Sequence, residues 1–160
     1  MSHLNTWNKM SENKNVLIKI LEINEISFNH KPLPIPIEEI EFGKNLIYGL
    51  GMQFGFDFEK ERFNFRLFIN YSIPENKNEV LALETEIIFH IKNMKDVIHF
   101  DEKNKKTTIK DDLLSTLLGV MIGTSRGILS TKTKGTALAP FPLPIINVKE
   151  FLHNMKKTNQ

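Results

Sequence analysis

Three glycines, Gly119, Gly123 and Gly127, recur every four residues with Ser115 in line before them, inside a stretch from Asp111 to Thr131 otherwise spaced like a helix. On a helix, Leu114, Leu117, Met121 and Ile128 fall along one side with Leu118 and Ile122 beside them, while Ser115 and the glycines lie roughly opposite. Each interior glycine disfavours a helix by about 1 kcal/mol relative to alanine, so the three cost about 3 kcal/mol unless close backbone packing offsets the loss. The pattern predicts a two-faced helix, with one side on the core and the small-residue side (Ser115, Gly119, Gly123, Gly127) against a second helix, as at an oligomer interface. A loop or a kinked helix at a flexible spot is the alternative.

The chain has 160 residues, 41% apolar and 25% charged, which fits one globular domain able to bury roughly 70% of its unfolded surface. A net charge of +2 is too small to argue for nucleic acid. The absence of cysteine excludes disulfides, thiolate metal sites and a cysteine nucleophile, and is compatible with a reducing cytoplasm. Met1 to Asn15 has no continuous apolar core, so it reads as a loose tail and not as a secretory signal. No run of 18 apolar residues occurs, so a soluble, cytoplasmic protein without membrane insertion is expected. The expected division is a flexible N-terminal tail over 1–14, one domain over 15–155 and a C-terminal tail over 156–160.

Asn15 to Asn29 is rich in isoleucine and valine. Val16, Ile18, Ile20, Ile26 and Phe28 share one parity and Leu17, Leu21 and Ile23 the other, which predicts a long strand with a bulge near its middle or burial on both sides. Prolines 32, 34 and 36 then forbid helix and cannot supply a normal ladder, so Lys31 to Ile37 is an extended crossover whose Leu33, Ile35 and Ile37 need a surface to lie on. Three strands follow. Leu50, Met52, Phe54, Phe56 and Phe58 alternate with a face bearing Gly49, Gly51 and Gly55. Phe63 to Tyr71 and Leu81 to Ile91 repeat the alternation after short turns, which implies antiparallel neighbours. Glu102 to Thr108 reads as a charged loop before the glycine helix. Pro140 to Ile146 is a second proline-rich apolar segment, and Asn147 caps a last helix, Val148 to Met155, with Phe151, Leu152 and Met155 on one face. Four strands followed by two helices predict an α+β fold: a four-stranded antiparallel sheet with a long and a short helix packed on one face.

The five histidines show no tight ligand spacing, so no metal is assigned, and no glycine-rich phosphate loop or nucleophile elbow is present. Glu84 and Glu86 share a strand face near Arg62 and Arg66, where a solvated ionic surface is the simplest reading. No cofactor and no catalytic residue is expected. A basic and aromatic mixture around Arg62, Arg66 and Phe68 is the weak case for single-stranded nucleic acid, but most aromatics lie on the opposite, core-facing parity. The apolar surplus of the two proline-rich segments has no place in a simple core.

The order of elements, with EISF at 25–28, LET at 83–85, Arg126 in the long helix, KGT at 134–136 and LPIIN at 143–147, resembles the SecB-type export chaperones of bacteria. The resemblance implies a four-stranded antiparallel sheet with two helices, assembled as a dimer of dimers through the long helix. It implies an ATP-independent holdase, not an enzyme, that binds unfolded or precursor polypeptides in an apolar groove between the crossover (Leu33, Ile35, Ile37, Phe42) and the last helix (Phe151, Leu152, Met155). It also places acidic contacts for the motor SecA on the exposed sheet face at Glu25 and Glu84. Asn29 and the MKKTNQ ending depart from the family's acidic pattern, which leaves open a SecB-like chaperone of a toxin–antitoxin system. The rival from another class is a small-molecule or acyl-binding protein of hot-dog type, with Asp111 or Asp112 as its only polar candidates at a helix N-terminus.

Overall fold

Alternation builds the centre of the molecule. In the computed structural model, which describes residues 17–158, strand β3 (Arg62–Ile73) buries Phe63, Phe65, Leu67, Ile69, Tyr71 and Ile73 on one face. Strand β4 (Asn78–Ile91) adds Leu81, Leu83, Ile87, Phe89 and Ile91 to the same face through direct antiparallel pairing. Strand β2 (Ile47–Asp57) flanks β3, and β1 (Ile18–His30) flanks β4, so the sheet order is β1-β4-β3-β2 and both β1 and β2 are edges. The bare face of β2 has a local cause. Asn70 lies so close over Gly49 that a side chain there would collide with its Oδ1, and Phe68 packs 3.6 Å from where a Cβ of Gly51 would stand. The expected N-terminal tail, 1–14, lies outside the described residues.

Because β1 pairs with β4 and β2 occupies the far edge, residues 31–46 must cross the end of the sheet. Prolines keep this crossover extended apart from one 3-10 turn, Ile37–Glu39. Phe42 anchors it, its ring 5.2 Å from Tyr71 and 6.1 Å from both Tyr48 and Phe141.

Strand β1 carries two bulges, one between Ile20 and Glu22 and one between Glu25 and Ser27. Each bulge inserts one residue and inverts the parity beyond it. Ile18, Ile20 and Phe28 therefore face the helices as their shared parity predicts, while Ile23 and Glu25 do so between the bulges, opposite Ile87 and Thr85.

The segment before the long helix differs from the expected charged loop. It is a two-stranded hairpin, β5 (Ile98–Asp101) and β6 (Lys106–Ile109). Asp101 organises the turn by accepting hydrogen bonds from Lys103 N, Asn104 N and Asn104 Nδ2, and the Asn104 contacts hold its carboxyl below the usual range. Lys105 supplies the left-handed turn residue at φ 49°. Alternating Ile98 and Phe100, with β-branched Thr107, Thr108 and Ile109, is the signal that the surrounding lysines obscured.

Helix α1 (Asp111–Thr133) is long and apolar enough by composition to cross a bilayer, yet nine of its residues are buried against the sheet and its connections, from Leu113 to Thr133. In the middle of this interface Thr85 and Ser125 share a hydrogen bond of 2.6 Å, both with essentially no exposure. Helix α2 (Val148–Thr158) extends beyond the expected Met155 into residues assigned to the C-terminal tail. Lys156 and Lys157 favour that extension by complementing the negative end of the helix dipole.

A buried hydroxyl without its partner costs about 1–3 kcal/mol, whereas removal of both partners is nearly neutral. Ser125→Ala should therefore lower stability by about 1–3 kcal/mol, and adding Thr85→Val should restore much of it. Urea denaturation of the two single variants and the double variant measures this coupling, and simple additivity of the losses would contradict it.

Candidate functional site

Beside β2, the helices leave part of the core uncovered. Met52 and Phe54 of β2, Ile109 of β6, Leu114 of α1, and Leu152 and Met155 of α2 line an open groove of about 530 Å³, with Lys106, Lys156 and Asp111 at its rim. Phe54 stacks on Phe63 at 5.6 Å, so the wall is continuous with the core. The hairpin is held alongside by Phe100, which meets Phe56 edge-on at 5.9 Å.

Helix α2 reaches its place through the second proline-rich segment. Arg126 of α1 donates from Nε to the Leu143 carbonyl (2.9 Å) and from an Nη to the Pro144 carbonyl (2.7 Å). The buried Tyr71 hydroxyl donates to the Phe141 carbonyl at 2.9 Å, and burial pushes this phenol's pKa far above its ordinary value. Asn147 Oδ1 then accepts from Glu150 N at 3.2 Å, the expected cap. At the far end Lys156 Nζ bonds Asp111 Oδ1 at 2.6 Å, which ties α2 to the start of α1.

Of the residues expected around a client groove, only residues of the last helix reach this one. Leu152 and Met155 line it. Phe151 packs against the core instead, as do Leu33 and Phe42. Ile35 is half-buried and Ile37 exposed, and none of the four crossover residues lines this groove. The aromatic cluster of Phe42, Tyr48, Tyr71 and Phe141 pins the crossover near the start of β2, away from Met52 and Phe54. Met52, Phe54 and Leu114 read as core in the sequence and Ile109 falls between the expected loop and helix, because alternation reveals an apolar face but not which part of it the helices leave open.

Glu25 and Glu84 do not share a face. The first bulge of β1 turns Glu25 towards the helices, where Lys132 of α1 meets it at 2.8 Å and also lies 6.0 Å from the Phe28 ring centre. Glu84 remains on the outer face, where Arg66 contacts it at 3.2 Å and Glu86 at 2.9 Å. The hydrogen bond with Glu86 is the main reason that the Arg66 pKa is raised. The two acidic positions expected on the exposed sheet face thus lie on opposite faces, Glu25 paired with Lys132 and Glu84 sharing Arg66 with Glu86. Asp111, the candidate polar group of the hot-dog alternative, is engaged by Lys156, and Asp112 is exposed.

The glycine side of α1 has no neighbouring element among the described residues. Gly119, Gly123 and Gly127 are exposed, and a Cβ at any of them would meet nothing within 4 Å. Ser115, expected on the same interface, borders a small cleft beside Leu152 and His153 of α2 instead. A further surface was not foreseen. Leu17, just before β1, and Ile20, Leu21, Ile23 and Ile26 within it are 42–50% exposed along a long free edge.

No family model matches the chain, and no curated protein is similar to it in sequence. Among solved structures it resembles the Mycobacterium tuberculosis Rv1957 SecB-like chaperone in complex with a ChAD peptide from the Rv1956 HigA1 antitoxin. The TM-score is 0.50 and the identity 17%, over 81% of this chain and 88% of that one. The fold is therefore SecB-like: an α+β arrangement of a four-stranded antiparallel sheet with two helices, not a hot-dog fold.

The Tyr71 latch carries a pH dependence. Its folded pKa is raised, so the unfolded chain loses the phenolic proton first, near pH 10, and the stabilisation present below that pH is lost as pH rises. Tyr71→Phe should cost about 1 kcal/mol at neutral pH and flatten the alkaline decline. Denaturation midpoints of both proteins from neutral to strongly alkaline pH provide the measurement; parallel curves would contradict the latch.

Proposed function

We propose that this chain is a SecB-like chaperone that holds non-native polypeptides by their apolar segments, without ATP and without catalysis, in the cytoplasm. The observation that carries the reading is the open groove, where Met52, Phe54 and Met155 leave apolar surface facing solvent beside the buried Leu152. An apolar groove walled by an amphipathic helix suits extended segments of many sequences. The SecB-like neighbour, bound to a peptide from an antitoxin, supports a polypeptide occupant. The client is an export precursor or an antitoxin segment, and a pull-down from the native cell distinguishes them. SecA is left out of the proposal, because Glu25 is tied to Lys132 and Glu84 to Arg66.

Micromolar holding requires about 8 kcal/mol, and full burial of one large apolar side chain contributes about 1.5–3 kcal/mol, so a few groove contacts suffice. Met52→Ser together with Met155→Ser should weaken capture of an unfolded client by roughly 10–100-fold, while added salt has little effect. Both side chains are partly exposed, so the fold should survive. Delay of client aggregation reads the result. Equal protection by the double variant and the unaltered protein would rule the groove out.

The same reading includes a homotetramer, a dimer of dimers. Two surfaces lack cover among the described residues: the apolar edge of β1 and the glycine side of α1. Gly123→Leu should halve the assembly measured by sedimentation while the circular dichroism stays unchanged. A unaltered protein that sediments as a monomer at micromolar concentration would refute the assembly.

A further inference from the structure

The hairpin meets the groove in an unusual way. All four residues of β6, Lys106 to Ile109, line it. Side chains alternate along a strand, so a groove touching one face would meet every second residue. Contact with consecutive residues means that the groove runs along the edge of β6. Among the described residues that edge is free, since β6 pairs only with β5.

The ladder shows which main-chain groups point outward. Lys110 N donates to Val97 O at 3.1 Å, and the register continues through Ile98–Ile109, His99–Thr108, Phe100–Thr107 and Asp101–Lys106. Hydrogen-bonded and non-bonded pairs alternate in an antiparallel ladder. Val97–Lys110 is bonded, so His99–Thr108 and Asp101–Lys106 are bonded too. Thr107 and Ile109 then turn their N–H and C=O groups away from β5, to the groove edge.

Charge selects among extended occupants. Among the described residues Lys106 makes no ion pair, and Lys156 shares its charge with Asp111 alone. The groove thus offers a free cationic rim above an apolar floor.

Resting on the groove reading above, we propose that a client enters as an extended strand added to the free edge of β6. Its main chain bonds to Thr107 and Ile109, alternate apolar side chains lie over Met52, Phe54 and Met155, and an acidic side chain meets Lys106. The recognised class is an extended polypeptide of alternating apolar character with a carboxylate near one end. Main-chain pairing supplies sequence tolerance, and the groove and rim supply the preference.

The test uses the full chain and a short synthetic peptide alternating leucine with threonine, with one aspartate at its end. Two further versions carry N-methyl groups on alternate residues, one version for each parity. Strand addition predicts that one methylated version loses about tenfold or more in affinity while the other binds like the parent. It also predicts slower hydrogen exchange at the Thr107 and Ile109 amides on binding. Lys106→Glu should weaken the aspartate peptide and strengthen a version with lysine in its place. Equal binding by both methylated versions, or exchange slowed at β2 and not at β6, overturns strand addition while the groove reading stands. Failure of the parent peptide and of unfolded clients to bind removes the groove reading and this inference together. Concentration-dependent protection of Thr107 and Ile109 without peptide identifies a second copy as the occupant and overturns the proposal.

Discussion

The hydrogen bond between Thr85 and Ser125 sets the placement of everything on the helix side of the sheet. It is a fully buried polar contact between helix and sheet, so it specifies one register where apolar side chains alone tolerate several. With Ser125 pinned to β4, the next residue, Arg126, is directed sideways to the Leu143 and Pro144 carbonyls, which fixes the segment leading into α2. The position of Leu152 and Met155 in the groove is therefore decided two contacts earlier, in the middle of the core.

The parts of the structure that follow from side-chain periodicity were legible in the sequence. Phe63 to Tyr71 and Leu81 to Ile91 alternate because one sheet face is buried, and the buried set is the expected one apart from Thr85, whose hydroxyl has a partner, and Glu86, which pairs with Arg66 on the other face. The prolines at 32, 34 and 36 announced an extended crossover, and Asn147 announced the start of α2. Half of the groove was legible for the same reason, since Leu152 and Met155 lie on the apolar stripe of an amphipathic helix.

What escaped depends on contacts between distant segments. A bulge costs one residue and leaves little compositional trace, yet the two in β1 decide that Glu25 meets Lys132 on the helix side and not Arg66 on the other. The hairpin escaped because its lysines resemble a solvated loop, while its β-branched residues are few. The glycine spacing marks a helix side without bulky side chains, but nothing in a single sequence tells whether a neighbour on it belongs to the same chain. Among the described residues, a Cβ at Gly119, Gly123 or Gly127 would meet nothing within 4 Å.

The ionic group on the outer face of the sheet has a kinetic meaning. Arg66 lies within 3.2 Å of both Glu84 and Glu86, so one positive charge is held against two negative ones and a single net negative charge is left. Beyond a Debye length of about 8 Å such a cluster is nearly silent. A partner approaching this side is therefore not drawn in by long-range attraction, and its arrival rate stays in the ordinary range of about 10⁵–10⁷ M⁻¹s⁻¹ for unsteered association. Discrimination between partners must then arise from how long each one stays.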